Sequence, residues 1–299
     1  MELREALNEV FIEGILKEKT LELATIDVQG KKADVIRGEL VISDKENSEH
    51  RVRVFANKLT KEGKENSVYK GLKTVMDEYV SVAEALKLGQ TAEAADKVRI
   101  TKGKIGLNEY YTPNGELRSF PIVTTNFVNR VKDGTYNPKA EFSLEIYFDN
   151  ILPEIKDNEE TGRLIVKGIV PVYGGEVIPL TFIVADEDAV NYIQTNYEKG
   201  KTGKVWGELV NTVEITKIVE QGFGKAKEKI VTKIINELVI TGGEEDQYNE
   251  DDERSYSTDL IKKAMAERDI KLDELLKNSK DNGKKTKTNN TPVKKELNF

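Results

Sequence analysis

The stretch Asp96–Arg130, DKVRITKGKIGLNEYYTPNGELRSFPIVTTNFVNR, decides the fold of this chain. Two long β-prone runs flank Thr112-Pro113-Asn114-Gly115, which predicts a tight turn because proline fixes φ while Asn-Gly tolerates positive φ. We therefore predict a long β-hairpin. Its first strand is rich in lysine and arginine, and the aromatic residues Tyr110, Tyr111 and Phe120 lie near its turn. Such a hairpin suits a flexible polyanion that carries flat bases.

Upstream of this hairpin, the chain predicts three strands and one helix. Residues 9–26, 31–43 and 50–56 show the residue types and the alternation of strands. Over residues 66–88 the apolar positions instead recur every three or four residues, which indicates an amphipathic helix. With the hairpin added, the order is three strands, a helix and two strands. This is the order of an OB-fold, a five-stranded barrel with a helix between its third and fourth strands.

A similar order of elements recurs after a linker at residues 133–138, without close residue identity between the two halves. We therefore predict a mainly β chain of two tandem OB-fold-like five-stranded barrels, each with a helix. The predicted domains are residues 1–134, which would bind nucleic acid, and residues 135–242, the second barrel. Its predicted elements are strands at 141–155, 163–173, 176–184, 203–219 and 229–241 and a short helix at 186–197.

The third predicted region, residues 243–299, differs in composition from both barrels. An acidic linker at 244–253 precedes a predicted helix at 257–278, and a flexible tail rich in lysine and asparagine ends at Phe299. Acidic flexible segments and a terminal apolar residue can recruit other proteins. Replication or recombination proteins are therefore candidate partners for this region, and a purely solubilising tail is the alternative.

The composition of the 299-residue chain excludes several functional classes. It has no cysteine, which excludes disulfide scaffolds, thiolate zinc sites and cysteine nucleophiles. We expect its one histidine, His50, to be structural or on the surface, and no phosphate-loop, dinucleotide or nucleophile-elbow motif is present. We expect no enzyme activity, cofactor or metal; a carboxylate site near Asp149, Glu154 and Asp157 is the remaining alternative. With neither a signal peptide nor an apolar run of ~20 residues, we expect a cytoplasmic protein without membrane contact.

Charge alone does not identify a partner, because the chain carries 46 basic and 53 acidic residues and a net charge of −7. The basic residues are nevertheless concentrated on particular strands of the N-terminal barrel, where we predict a groove for nucleic acid. In such grooves aromatic rings stack on bases and cations follow the phosphates. The alternative is that surface strands of any barrel carry cations and that Phe55 or Phe120 belongs to the core. The predicted groove residues are Arg37, Arg51, Arg53, Phe55, Lys58, Lys102, Lys104, Tyr110, Tyr111, Arg118, Phe120 and Arg130.

We expect the second barrel to be less suited to nucleic acid. It is more acidic than the first, and its one basic cluster is formed by lysines within residues 225–233. Trp206 could stack on a base, but we expect it to fill the core, as we also expect of Phe127 in the first barrel. We therefore expect the second barrel either to contact other proteins or to bind a nucleic-acid strand weakly.

Two motifs resemble those of bacterial and phage single-stranded-DNA-binding proteins. The strand His50-Arg51-Val52-Arg53-Val54-Phe55 matches their H-R-V-x-x-F strand, which leads into a helix. Lys102-Gly103-Lys104-Ile105, Tyr110-Tyr111 and the turn Pro113-Asn114-Gly115 match their returning hairpin. The resemblance covers residues 30–131 and implies a protein that coats displaced single strands without sequence preference. It also implies a DNA path lined by Arg51, Arg53, Phe55, Lys104, Tyr110 and Arg118.

The chain departs from that family in its long helical insert after the third strand and in its fused second barrel, which suggest a phage-type variant. Its end, Lys294-Lys295-Glu296-Leu297-Asn298-Phe299, lacks the acidic run that usually precedes the terminal phenylalanine. We predict a nonspecific single-stranded-DNA-binding protein that coats and protects DNA in phage replication or recombination, in the bacterial host cytoplasm. The alternatives are a protein-interaction or virion structural module built of tandem small barrels, and a nuclease inhibitor or recombination mediator.

Overall fold

A computed structural model of the chain describes residues 3–28, 30–220 and 227–287. Residues 221–226, which include Lys225 of the predicted basic cluster, and the end of the Lys/Asn-rich tail, with Phe299, lie outside the described residues. The described part is mainly β, with helices inserted in each half and one long helix at its C-terminal end.

The N-terminal barrel closes in the order β1-β3-β4-β6-β5 and back to β1. Its neighbouring strands are antiparallel except for β4 and β6, which run parallel. Two helices, α1 and α2, lie between β4 and β5. The elements are β1 (Asn8–Lys19), β2 (Glu22–Val28), β3 (Lys31–Ser43), β4 (His50–Asn57), α1 (Ser67–Glu78), α2 (Val82–Lys87), β5 (Lys97–Tyr111), β6 (Leu117–Thr125) and the short β7 (Asn129–Arg130).

Two predicted elements of this barrel are broken in the structure. The strand predicted over 9–26 divides into β1 and β2 where Gly38 of β3 approaches it closely: a Cβ at Gly38 would lie 2.1 Å from the carbonyl oxygen of Thr20. The helix predicted over 66–88 divides because Ser81 begins a new helix. Its side chain accepts a hydrogen bond from the Glu84 N–H, and the Glu84 carboxylate accepts one from the Ser81 N–H.

The second barrel repeats this topology. It closes in the order β8-β9-β10-β12-β11 and back to β8, again with one parallel pair, β10 and β12. These pairings confirm the predicted fold class of two OB-like barrels with a C-terminal helix. The elements are β8 (Lys139–Lys156), β9 (Glu159–Pro171), β10 (Val177–Val184), α3 (Glu187–Asn196), β11 (Thr202–Glu220), β12 (Lys227–Gly243) and α4 (Thr258–Lys287).

The two barrels are joined edge to edge through β1. Residues 8–13 of β1 pair with residues 139–144 of β8, while other parts of β1 pair with β3 and β5. One continuous cluster of buried apolar side chains therefore runs through both barrels. The division into domains at residues 134 and 242 stays a prediction, since β1 belongs to the sheets of both halves. Among the described residues, no helix is both long and apolar enough to cross a bilayer.

Candidate nucleic-acid interface

The alternation of β4 places three predicted site residues on one outer face of the first barrel. Val52 and Val54 are buried, whereas Arg51, Arg53 and Phe55 point away from the core. Successive side chains of a strand point to opposite faces, so the pattern V-R-V-F necessarily exposes one arginine and the phenylalanine together. This face forms the floor of the candidate site.

Sheet register places residues of four strands side by side on this floor. Glu39 of β3 lies opposite Arg53 of β4, Arg53 beside Thr124 of β6, and Thr124 opposite Lys104 of β5. In the next position Arg37 lies opposite Phe55. The row brings cations from distant parts of the sequence to one surface.

An open groove of about 840 Å³ follows this floor. Two phenylalanine rings line it, Phe55 at 45% exposure and Phe127 at 46%. The Lys102 ammonium lies 5.4 Å from the centroid of the Phe127 ring. Four cations and two carboxylates also line the groove, so its charge is positive: Arg37, Arg53, Lys102 and Lys104, with Glu22 and Glu39.

The expectation that Phe127 belongs to the core is wrong. The chain has left β6 at this point, and the Thr125 hydroxyl accepts a hydrogen bond from the Phe127 N–H at 3.1 Å, which turns the backbone. Thr20, Gly38, Thr124 and Asn126 are further groove residues that sequence reasoning missed. Gly38 carried one usable signal, because an isolated glycine in a strand often marks a close backbone approach.

The β5–β6 hairpin extends from the groove as an arm, defined here as residues 106–122. Its front face carries Tyr110 and Phe120, whose rings meet edge to face at 6.1 Å and are each more than 40% exposed. Arg118 lies opposite Tyr110 on the same face. The Asn108 side chain accepts a hydrogen bond from Arg53 Nη1 at 2.9 Å, which links the arm to the floor.

Most of the predicted cations are paired with carboxylates, with consequences for their charge. The hydrogen bond to Asp34 raises the pKa of Lys58, and the same bond lowers the pKa of Asp34. Within the described ranges, Arg53 and Lys102 make no such ion pair. The six pairs are Arg37–Glu22 (2.7 Å), Arg51–Glu39 (2.7 Å), Lys58–Asp34 (3.1 Å), Lys104–Glu5 (2.6 Å), Arg118–Glu116 (3.1 Å) and Arg130–Asp96 (2.8 Å).

Five of the predicted residues line the groove: Arg37, Arg53, Phe55, Lys102 and Lys104. Arg51 lies beside it on β4, and Tyr110, Arg118 and Phe120 lie on the front of the arm.

The other three predicted residues lie elsewhere. Tyr111 lies on the back of the arm, one position out of phase with Tyr110. The Arg130 guanidinium lies 4.3 Å from the centroid of the Tyr79 ring and hydrogen-bonds Glu78, at the helical side of the barrel. Lys58 follows the end of β4 and pairs with Asp34 away from the groove.

The helix α4 lies over the corresponding face of the second barrel, where Lys167 and Thr181 remain exposed. A cavity of about 980 Å³ lies between α4 and the face of β8, β9 and β10, lined by Lys167 and Thr181 on the barrel and Met265 on the helix. Trp206 is also not in the core, contrary to expectation. Its side chain is 42% exposed and packs against Gly242, where a Cβ would lie 2.5 Å from the indole nitrogen.

His50 is fully buried at the junction of the barrels. Its Nε2 hydrogen-bonds Asp44 at 2.9 Å, and its Nδ1 hydrogen-bonds the Asn211 side chain at 3.0 Å. Burial would raise the pKa of Asp44, but hydrogen bonds from His50 and Ser48 outweigh it and lower that pKa to about 2. Across the described ranges, no group of three His, Asp or Glu side chains could hold a metal ion.

Comparison with known proteins gives a family and several distant structures. A family model described as YorF matches residues 6–279, and no curated protein matches the chain. The wild-type single-stranded DNA binding protein from Thermus aquaticus has 13% identity and a TM-score of 0.48, covering 83% of this chain and 96% of its own. A deletion mutant of that protein has 14% identity, a TM-score of 0.47 and coverages of 84% and 98%.

A Replication Protein A heterotrimer bound to ssDNA is similar at 10% identity and a TM-score of 0.22, over 77% of this chain and 49% of that chain. All these identities and TM-scores are low. A shared fold does not by itself establish function, so the function has to be argued from the groove and its residues.

Proposed function

The chain belongs to the YorF family, and we propose that this member binds single-stranded DNA without sequence preference, in the groove across β3, β4, β6 and β5. The observation that carries the proposal is the sharing of one open groove by four cations and two half-exposed phenylalanine rings. Grooves that combine a cationic track with aromatic platforms suit a flexible strand whose bases are unpaired.

The phosphates would meet the cations of the groove. Arg53 and Lys102 make no ion pair within the described residues, so each is available to a phosphate without displacing a carboxylate. Arg37 and Lys104 are exposed and paired with Glu22 and Glu5. Because exposed ion pairs contribute little, about 0–1 kcal/mol each, exchanging a carboxylate for a phosphate costs little.

The bases would stack on Phe55 and Phe127. Stacking of a base on an aromatic ring is worth about 1–3 kcal/mol and tolerates any base, because every base has a flat face. The arm offers a further aromatic pair, Tyr110 and Phe120, beyond the end of the groove. Binding through rings and phosphates alone would therefore be sequence-tolerant.

The proposal extends to the role of the protein in the cell. We infer a protein that coats and protects single strands during phage DNA replication or recombination, with no chemistry of its own, in the host cytoplasm. The motif resemblance over residues 30–131 and the fused second barrel support this role. Replication or recombination proteins would contact the C-terminal region, residues 243–299.

The test is an anisotropy titration of a labelled dT oligomer of about 20 nucleotides with the full chain, over a range of salt concentrations. We expect log affinity to fall with log salt at a slope of about −3, because four cations would each neutralise a phosphate. A duplex of the same length should bind more weakly. Absence of binding at low salt, together with a mass that rises with protein concentration, would instead indicate the assembly module.

A further inference from the structure

The arm is a two-stranded ribbon over most of its length. Only residues Val123–Thr125 of β6 pair with β4, and the pairing of β1 with β5 does not extend beyond Gly103. Residues 106–111 and 117–122 are therefore paired only with each other. A two-stranded hairpin is marginally stable by itself, so the position of the arm must depend on what it packs against.

The back of the arm packs against α4. Glu109 and Tyr111 lie on this back face, opposite Tyr110 and Phe120, because neighbouring residues of a strand alternate between faces. Arg268 of α4 donates a hydrogen bond to the Glu109 carboxylate and forms an ion pair with it. The helix thus reaches from the second barrel to the first.

The helix is itself fixed to the second barrel. The Tyr147 hydroxyl donates a hydrogen bond to Thr258 Oγ1 at 3.1 Å where the helix begins. Ile261 and Ala264 are buried, and Met265 packs against the same core. Since these contacts precede Arg268 by one to three turns, they hold its side chain in a defined place.

Burial distinguishes the contact with the arm from a neighbouring ion pair on the same helix. The side chains of Arg268 and Glu109 are 16% and 18% exposed, whereas those of Lys271 and Glu176 are 60% and 59% exposed. Removing one partner of a partly buried pair leaves the other charge poorly solvated, which displaces it towards water. Loss of Arg268 should therefore move the arm, and loss of Lys271 should not.

We propose that Arg268 is a positioning residue: through Glu109 it holds the arm where Tyr110 and Phe120 meet the strand as it leaves the groove. The inference rests on the proposed function. Arg53 links the front of the arm to the floor through Asn108, and Arg268 fixes the back. The two arginines therefore hold the ribbon from both sides.

The test compares dT oligomers of about 6 nucleotides, which occupy the groove, with oligomers of about 20, which also reach the arm. Arg268→Gln should weaken the longer complex about tenfold, the contribution of one stacked base, and leave the shorter one unchanged. Phe120→Ala should weaken the longer complex by the same factor. The double variant should bind the longer oligomer no more weakly than either single variant. Lys271→Gln is the matched control and should bind both oligomers as the unchanged protein does.

Two further measurements separate positioning from general stability. Hydrogen exchange without DNA should be faster in Arg268→Gln at residues 106–122 and unchanged in the strands of the groove. The charge exchange Glu109→Arg with Arg268→Glu should restore the longer complex. If Arg268→Gln does not fold, Glu109→Gln removes the same ion pair from the other side.

The inference is overturned if Arg268→Gln binds the longer oligomer like the unchanged protein, or if it weakens both oligomers equally. It is also overturned if exchange at the arm is unaltered. Failure of the unchanged protein to bind either oligomer would instead contradict the proposed function, and the exchange measurement would still decide whether Arg268 holds the arm.

Discussion

The outer faces of the second and third strands differ sharply between the two barrels, although the strand order is the same. In the first barrel this face, on β3 and β4, opens to solvent as the groove. In the second barrel the face, on β9 and β10, lies under α4. The comparison shows that one topology presents two different surfaces, depending on what the rest of the chain places over it.

Cations alone do not distinguish the two faces. Lys167, Lys199 and Lys262 line the cavity beneath α4, and none of them makes an ion pair within the described residues. In the open groove, by contrast, Arg37 and Lys104 are paired with carboxylates. The half-exposed rings of Phe55 and Phe127 therefore distinguish the proposed binding face of the first barrel, and lysine content does not.

The most direct way to break this comparison is a matched pair of charge reversals. Arg53→Glu should weaken binding of dT oligomers about 100-fold, because it removes a phosphate contact and adds a repelling charge at the centre of the floor. Lys167→Glu, on the face beneath α4, should change the affinity by less than about threefold. Both are measured as Kd at one salt concentration. Equal losses for the two variants would show that the second barrel also binds the strand.

A second test examines the junction that holds the two faces in place. The pKa of Asp44 is lowered to about 2 by His50 and Ser48, so its stabilising effect is present above about pH 4 and is lost as the pH falls through 2. This corresponds to about 2 kcal/mol of unfolding free energy. Urea unfolding should show that Asp44→Asn is less stable than the unchanged protein at pH 7, with the difference nearly gone at pH 2.

The result also bears on how the barrels unfold. A single transition that shifts as a whole in Asp44→Asn is expected, because Asn211 of β11 contacts His50 of β4 across the junction. Two unfolding transitions, of which only one shifts, would mean that the two barrels unfold independently of each other. A pH-independent difference between the two proteins would contradict the role assigned to Asp44.

The smallest effect is expected from a carboxylate in the groove. Glu39 lines the groove and pairs with Arg51 at 2.7 Å, so Glu39→Gln should free this arginine and remove a repelling charge. We expect dT oligomers to bind about two- to threefold more tightly, in keeping with the value of an exposed ion pair. Glu176→Gln, on the second barrel, is the control and should leave Kd unchanged. Weaker binding by Glu39→Gln would mean that Glu39 orients Arg51 for the strand.

Local patterns were sufficient to predict most of the elements. The alternation of β4 predicted that Arg51, Arg53 and Phe55 share a face, and the Pro-Asn-Gly turn predicted the β5–β6 hairpin. These features depend on residues close in sequence, which is why the sequence carries them. The alternation of β5 also indicated that Tyr110 and Tyr111 must lie on opposite faces, although both were predicted in the groove.

The remaining features depend on contacts between distant parts of the chain. Whether a distant segment covers the rings of Phe127 and Trp206 cannot be read from their neighbours in sequence. Both rings are exposed in the structure. The pairing of Arg268 with Glu109 joins residues 159 positions apart, beyond the reach of any local pattern. The ion pairs that most of the predicted cations form also cannot be predicted until the register of the strands is known.

The strand β1 belongs to the sheets of both barrels, which affects how the protein resists mechanical force. A strand that supplies hydrogen bonds to β3, β5 and β8 cannot be pulled away from one barrel while the other stays closed. When force is applied to the N-terminal end of the chain, we therefore expect both barrels to unfold in a single step rather than one after the other.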